Sequence, residues 1–260
     1  MTVNYRMPPN KRKAHRPRQA KSPDRAEKIE LAILRLELKS RVEPTWGRGV
    51  EPDAYITDLD GEILLPKEDS DDEICVGTIS AHSVHFGEAY ENGVSWFDVL
   101  DARSADTAMY VDLLDAEGFG YSESVESTFE PFGSGLLILD RIRIEPEHRG
   151  QGYGLYAAQL MITGFASNGL VACVPAPYEL LRDAPPLRLG EDDTNSSREE
   201  RIPGWTAAEA KLREYWSLLG FEQLPDSDVF ALSLTTRRPP FESIISKYLS
   251  RNERQAHSRK

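Results

Sequence analysis

The chain has 260 residues, 40% of them hydrophobic, and a formal net charge of −12 at pH 7. This length holds one large domain or two small ones, with enough apolar residues for a core. No run approaches the roughly 18 apolar residues of a membrane span, and the N-terminus lacks the apolar segment of a signal peptide. The composition therefore predicts a cytoplasmic protein without a membrane partner.

The two cysteines support the same compartment. Cys75 and Cys173 lie far apart inside apolar, strand-like runs, and neither has the spacing of a metal ligand. Free cysteines in such runs behave as small core residues. We therefore predict reduced thiols and no bound metal.

The charge is distributed unevenly. Residues 1–28 contain nine basic and two acidic residues, residues 237–260 contain seven and two, and the segment between them carries a net −24. An acidic body favours a cationic acceptor such as an amine and disfavours nucleic acid. The basic ends are solvated, fold back on the acidic body, or touch a polyanion such as nucleic acid.

The N-terminal half predicts strands before helices. Residues 1–27 are rich in Lys, Arg, Pro and Asn, so we expect a disordered basic tail. Strand periodicity dominates over 28–42, although Ser22-Pro23-Asp24 can also start a helix. Two further strand segments are predicted, over 54–65 with a turn at Asp60-Gly61, and over 74–86 after an acidic loop. These three segments predict an antiparallel meander.

Helices follow the meander. The apolar pattern over 95–115 predicts a helical region, in which Ser104 caps a second helix. Residues 117–134 are polar and predict a loop. His82 and His85, three apart in the preceding strand, point to opposite faces and make a poor metal pair, so we expect ordinary surface or packing histidines.

The centre of the chain has the order strand, glycine-rich turn, helix. An apolar run from Leu136 to Ile144 precedes Arg149-Gly150-Gln151-Gly152-Tyr153-Gly154, and a helical pattern follows. Glycines let a backbone approach a ligand, and a helix N-terminus with unpaired N–H groups suits a pyrophosphate. Arg149 adds a positive charge at the rim. The spacing excludes both a P-loop and a G-x-G-x-x-G dinucleotide turn.

A third pattern fits this turn. Arg149-x-x-Gly152-x-Gly154, preceded by Ile144-x-Pro146, resembles the acetyl-CoA-binding motif of the GNAT N-acetyltransferase superfamily, Q/R-x-x-G-x-G/A after a strand ending in V-x-P. Leu219-Gly220-Phe221-Glu222 is similar to the L-G-F-E segment that precedes the family's closing hairpin. The resemblance covers about residues 136–234. The first half does not match, because the family usually places two helices between its first two strands.

The resemblance implies an α/β (α+β) fold: a GNAT-like mixed, mostly antiparallel twisted sheet flanked by helices, here with an N-terminal β-meander extension. We predict a basic tail over 1–27, an acetyltransferase domain over 28–236 with its motifs in 136–234, and a basic tail over 237–260. After the central helix we expect a parallel strand over 170–174 and a mobile loop over 183–204. A helix capped by Thr206, a hairpin ending at 234 and a short amphipathic helix around 241–249 complete the chain.

The resemblance also implies transfer of an acetyl group from acetyl-CoA, the only cofactor, to an amine of a small molecule or protein by direct attack. The pantetheine would lie between the central strand and its splayed neighbour, on backbone groups of Ile142, Arg143 and Ile144. The pyrophosphate would lie on the N–H groups of Arg149, Gly150, Gln151, Gly152, Tyr153 and Gly154.

Two residues are candidates for proton transfer. Asp140 is the candidate base, because it shares a strand face with Ile138, Ile142 and Ile144, where a carboxylate needs a partner or a purpose; the alternatives are a structural salt bridge and Glu145 as base. The family's acid, a tyrosine four residues before the Gly of L-G-F, is replaced by Trp216. Its neighbour Tyr215 is the candidate acid, or a core residue, in which case water protonates the thiolate.

Three functional hypotheses stay open. The first is a transferase acting on a cationic amine. The second is a catalytically weak or inactive CoA-binding regulatory module, motivated by Trp216. The third is an acetyltransferase that docks on RNA through its basic tails, with a salt-dependent affinity. Neither the acceptor nor the oligomeric state follows from the motifs.

Overall fold

One mixed, mostly antiparallel sheet organises the computed structural model, which describes residues 2–3, 34–41, 50–67, 71–166, 168–182 and 202–257. The strand order is β1-β2-β3-β4-β5-β6-β8-β7, and among the described strands only β5 and β6 are parallel neighbours. The strands are β1 (Thr2–Val3), β2 (Arg35–Arg41), β3 (Ile56–Pro66), β4 (Glu73–His85), β5 (Gly135–Ile144), β6 (Leu170–Cys173), β7 (Glu222–Gln223) and β8 (Phe230–Ser233).

Helices cover both faces of this sheet. The described residues form α1 (Phe86–Glu91), α2 (Trp96–Arg103), α3 (Ala105–Ala108), α4 (Glu123–Phe129), α5 (Tyr153–Phe165), α6 (Tyr178–Arg182), α7 (Trp205–Leu218) and α8 (Phe241–His257). Short 3₁₀ turns span Pro52–Tyr55, Met109–Leu113 and Pro146–His148. None of the described helices combines the length and the apolar character needed to cross a membrane.

The two faces bury separate clusters of side chains. Leu137 and Leu139 of β5 point to the face covered by α5, α7 and α8, whereas Leu136 and Ile138 point to the face covered by α1–α4. This alternation is the period of two of a strand that is buried on both sides. Each of these four side chains is at most 2% exposed, and burying one contributes about 1.5–3 kcal/mol. Strand β5 is therefore the centre of the molecule.

The N-terminal meander is confirmed, with one correction. Strands β2, β3 and β4 pair antiparallel in sequence order. The turn predicted at Asp60-Gly61 is wrong, because β3 runs through both residues. A Cβ at Gly61 would collide with the Leu38 side chain of β2. This glycine serves close packing between strands, and sequence alone does not separate that use from a turn.

Two other predictions are corrected by short elements. The predicted loop over 117–134 contains α4, whose N-cap Ser122 accepts a hydrogen bond from the Val125 amide and whose Val125 and Phe129 are buried. Two helical turns with two inward residues are too short to show a period. Thr2 and Val3 pair with β2 although disorder was predicted there. The remaining residues of 1–27, and 183–201 of the predicted mobile loop, lie outside the described residues.

The C-terminal part follows the predicted order. Helix α7 begins at Trp205, and its N-cap is Gly204, whereas the predicted cap was Thr206. Gly220, with a φ of 94°, follows the helix and ends it. Strands β7 and β8 form the predicted hairpin. The amphipathic helix expected around 241–249 is longer, since α8 reaches His257, and its Ile244 and Ile245 are buried in the α5 side of the core. Residues 241–252 thus pack on the body of the protein.

Candidate functional site

Strands β5 and β6 are paired over a short contact. Their parallel register covers only Leu136–Leu170, Leu137–Val171 and Ile138–Ala172. Strand β6 ends at Cys173, while β5 continues to Ile144, where β4 is its one partner among the described strands. The second half of β5 therefore has no strand on its β6 side, and we call the space beside it the wedge. The edge that faces it carries Ile142, Arg143 and Ile144, the residues predicted to hold the pantetheine.

A β-bulge lies where the wedge opens. Ala81 of β4 faces Leu139 and Ser80 faces Arg141, so Asp140 is the extra residue on β5. A bulge re-aims the side chains that follow it. Ile142 and Ile144 consequently pack on the α5 face, opposite to Ile138. The prediction that Asp140 shares a face with Ile142 and Ile144 is wrong, because an unpredicted bulge reverses the alternation.

Asp140 lies on the α1–α4 side in a charged setting. Partial burial raises the pKa of this carboxyl, while Arg141 and His82 oppose the rise and Asp106 and Asp60 add to it. Within the described part of the chain Asp140 forms no ion pair or hydrogen bond, so the alternative of a structural salt bridge gains no support. An open groove reaches Asp140 from β2–β4, and its charged lining consists of Glu37, Asp60, Glu62, Asp140, Lys39 and Arg141.

A histidine–aspartate pair lies beside the bulge. His82 Nδ1 is 2.9 Å from Asp58 Oδ1, and Arg103 binds the other oxygen of Asp58. Both paired side chains are 17% exposed. His82 stands opposite Ile138 in the register, and so on the same strand face as Asp140. The sequence predicted an ordinary surface or packing histidine at this position, and the β3–β4 register, which joins residues 24 positions apart, adds its aspartate partner.

Helix α6 bridges the mouth of the wedge. The guanidinium of Arg141 lies 5.0 Å from the centre of the Tyr178 ring, and Arg149 pairs with Glu179 at 2.5 Å. Arg149 Nε also donates to the carbonyl of Ile144 at 2.9 Å. The positive charge of Arg149, predicted at the rim of the turn, is therefore paired with Glu179 of the same chain. Helix α6, a five-residue helix that follows two prolines, was not predicted from the sequence.

The glycine turn has the backbone geometry that requires glycine. Gly150 and Gly152 have φ angles of 77° and 84°, in the left-handed region, and α5 begins at Tyr153 immediately after them. The first amides of α5 thus open onto this turn. The Tyr153 hydroxyl donates to Gln151 Oε1 at 3.0 Å. All six residues predicted to hold the pyrophosphate lie together here.

Gly154 has a different use. A Cβ at this position would lie 2.5 Å from the Tyr215 hydroxyl and 3.6 Å from atoms of Ile142 and Ile144. The missing side chain lets Tyr215 of α7 pack on the first turn of α5. Burial, followed by the nearby Tyr248, raises the pKa of Tyr215 well above its usual range, so this phenol stays protonated near neutral pH.

The two predicted catalytic residues do not meet. Tyr215 packs with the cluster on the α5 side of the sheet. Its neighbour Trp216 is buried in the same cluster, and the centres of the Trp216 and Phe221 rings are 5.2 Å apart. Asp140 lies on the other side of the sheet with Ile138 and His82. The structure therefore places Asp140 and Tyr215 on opposite faces of β5.

Helix α8 covers the glycine turn. A Cβ at Gly152 would lie 3.3 Å from Ile245 Cδ1 and 3.7 Å from Tyr248 Cδ1, and Asn252 Nδ2 donates to the carbonyl of Gly150 at 3.1 Å. The prediction of a short tail helix did not anticipate this contact, because helical periodicity says which face is apolar and not what that face covers.

Neither a metal site among the described residues nor a match to a known protein points to a function for this site. Among the described residues no group of three or more His, Cys, Asp or Glu side chains can hold a metal ion. Comparison of the chain with protein-family models, with curated proteins and with solved structures finds no match.

Proposed function

We propose that the chain is an acetyl-CoA-dependent N-acetyltransferase of GNAT type that acts on a cationic amine. The observation that carries this proposal is the separation of β5 from β6 after three paired residues, on the strand that leads into the glycine turn. An open strand edge can pair with the amide groups of pantetheine as it would with another strand. The helix N-terminus at the far end of that edge suits the pyrophosphate.

We place acyl transfer at the bulge in β5, which lies at the apex of the wedge, the point where the wedge begins. In the reaction the amine nitrogen attacks the thioester carbonyl, the C–S bond breaks, and coenzyme A leaves as a thiolate. A negative charge develops on the carbonyl oxygen and needs a donor. The extra residue of a bulge leaves its backbone groups outside the strand ladder, so the amide of Asp140 is a suitably situated donor.

We assign proton removal to His82 and attraction of the amine to Asp140. With its Nδ1 proton donated to Asp58, a neutral His82 keeps Nε2 as the basic nitrogen, and Arg103 holds Asp58 in place. Asp140 and the carboxylates of the adjoining groove favour a cationic acceptor. Tyr215 lies on the opposite face, so we assign thiolate protonation to water.

The assignment of the reaction to the cytoplasm rests on the thiols. Cys75 is exposed, Cys173 is buried, and both are free. Surface thiols persist in a reducing compartment, where glutathione keeps them reduced.

The test is calorimetric titration of acetyl-CoA into wild type and Gln151→Glu, followed by turnover assays with mono- and diamines. The substitution keeps the size of the side chain and its acceptor for Tyr153, but places a negative charge beside the bound pyrophosphate. We expect about tenfold weaker binding. Gln159→Glu, in the helix α5 that follows the turn, is the matched control. A folded wild type that does not bind acetyl-CoA refutes the proposal.

The second candidate is a CoA-binding regulatory module without transferase activity. Its support is the pair of bridges that close the wedge, Arg141 with Tyr178 and Arg149 with Glu179. This candidate is favoured if the protein binds acetyl-CoA but releases no coenzyme A with either singly or doubly charged amines. Nucleic-acid docking through the tails stays a prediction; in the C-terminal one, Arg251 of α8 already pairs with Glu214 at 2.6 Å.

A further inference from the structure

The C-terminal helix occupies the space that the glycines of the turn create. Gly152 and Gly150 lack side chains, which normally lets a ligand approach the backbone. Here Ile245 and Tyr248 pack on Gly152, and Asn252 bonds to Gly150. A pyrophosphate on this turn and helix α8 in this position therefore compete for the same stretch of backbone.

Helix α8 is attached in two unequal halves. Its first half is anchored by the buried Ile244 and Ile245 and by Phe241, whose ring lies 5.2 Å from that of Tyr156. Its second half is held by partly exposed contacts: Tyr248 and Leu249 pack on the edge of the same cluster, followed by the Arg251–Glu214 pair and the Asn252 hydrogen bond. An exposed ion pair contributes little, and no residue from Tyr248 to Asn252 is fully buried, so the second half opens more readily than the first.

We propose that α8 is an autoinhibitory cover of the cofactor site, whose second half, from Tyr248 onward, must move away from the Gly150–Gly154 turn before coenzyme A binds. This inference rests on the proposed function, since it presumes that the turn is the pyrophosphate site. The covered form of the protein is the resting state. Whatever weakens the second half of α8 raises the apparent affinity for coenzyme A, because only the open fraction binds.

The test measures the affinity of the full chain for coenzyme A by calorimetry in wild type and in Tyr248→Ala/Asn252→Ala. The double variant removes the ring over Gly152 and the hydrogen bond to Gly150, and it keeps the anchor residues. Ser243→Ala/Ser246→Ala is the matched control, because both serines are exposed on the same helix and carry no charge. We expect about tenfold tighter binding by the double variant and no change in the control.

Each alternative outcome is informative. Equal affinity in all three proteins overturns the cover and leaves the cofactor site in place. Weaker binding by the double variant also overturns it, because α8 would then be a wall of the site. If no folded protein binds coenzyme A, the proposed function falls, and the cover falls with it.

Hydrogen exchange on the wild type gives a second test that does not depend on the folding of a variant. At saturating coenzyme A, amides in residues 248–257 should exchange faster, while those in 241–247 keep their protection. Unchanged or slower exchange in 248–257 overturns the cover.

Discussion

His82 is the side chain whose role the surrounding residues define most sharply. Its ring is aligned by Asp58, which is itself held by Arg103, and it lies within electrostatic reach of Asp140. A histidine oriented by a carboxylate is suited to act as a general base.

Replacing His82 tests this role. We expect His82→Gln to lower kcat/KM by about 10²–10⁴-fold, because glutamine cannot accept the proton of the amine. Asp58→Asn should lower kcat/KM less, because it removes the partner that orients the ring and leaves the ring itself. His85→Gln, three residues along β4, is the control. An unchanged kcat/KM in His82→Gln would assign the base elsewhere.

Asp140 gives a prediction about stability and pH. Its folded-state pKa is raised above the usual 3.8, chiefly by burial. The folded state therefore disfavours the ionised form, and Asp140 lowers stability at pH values above the folded pKa. We expect Asp140→Asn to melt at a higher temperature than wild type at pH 7, with a difference that vanishes as the pH falls below 3.8. Asp101→Asn on the exposed face of α2 should show no such dependence, and a destabilised Asp140→Asn would contradict the assignment.

At the scale of the element, the bulge in β5 sets which side chains face which core. Deleting Asp140 removes the extra residue and leaves Ile142 and Ile144 on the α5 face, so the strand remains compatible with its partners. We expect this deletion to fold and to lose acetyl transfer, because the backbone donors at the apex are drawn into the ladder.

The deletion has a control on the same strand. Deleting Arg143 instead turns Ile144 to the polar face, at an expected cost of about 1 kcal/mol or more in the free energy of unfolding. Chemical denaturation compares the two. Equal losses of stability would show that the bulge does not absorb the change in register.

The contact between α5 and α7 can be tested through Gly154. Its Cβ would lie 2.5 Å from the Tyr215 hydroxyl, so we expect Gly154→Ala to destabilise the protein by about 1–3 kcal/mol. Tyr215→Phe removes the clashing oxygen and should recover part of this loss in a double-mutant cycle. Alone, Tyr215→Phe should change kcat by less than about twofold, whereas a tyrosine acting as the acid would lose far more.

At the scale of the whole molecule, charge is separated between the acidic body and the basic ends. Residues 29–236 carry a net −24. Such a field concentrates cationic acceptors and is screened by salt. We expect KM for a diamine to rise about tenfold between low and high ionic strength, and KM for an uncharged amine of similar size to change little. Equal salt dependence for both amines would place the selectivity in something other than charge.

Local pattern was sufficient for much of this protein. The alternation in β2, the strand–turn–helix of β5 and α5, the capping serine of α3 and the closing hairpin were all predicted and are confirmed, because periods and caps depend on neighbouring residues. The grouping of the glycine-turn residues followed from the same stretch. Short helices such as α4 and α6 were not predicted, since too few inward residues show a period.

The sequence by itself determined the order of the elements and the location of the glycine turn. Tertiary structure alone decided the bulge at Asp140, the pairing of His82 with Asp58, the separation of Asp140 from Tyr215, and the position of α8 over the turn. Each of these depends on which residues of distant segments stand opposite one another. Register and docking are set by the free energy of the whole packed core, and no local window of the sequence contains it.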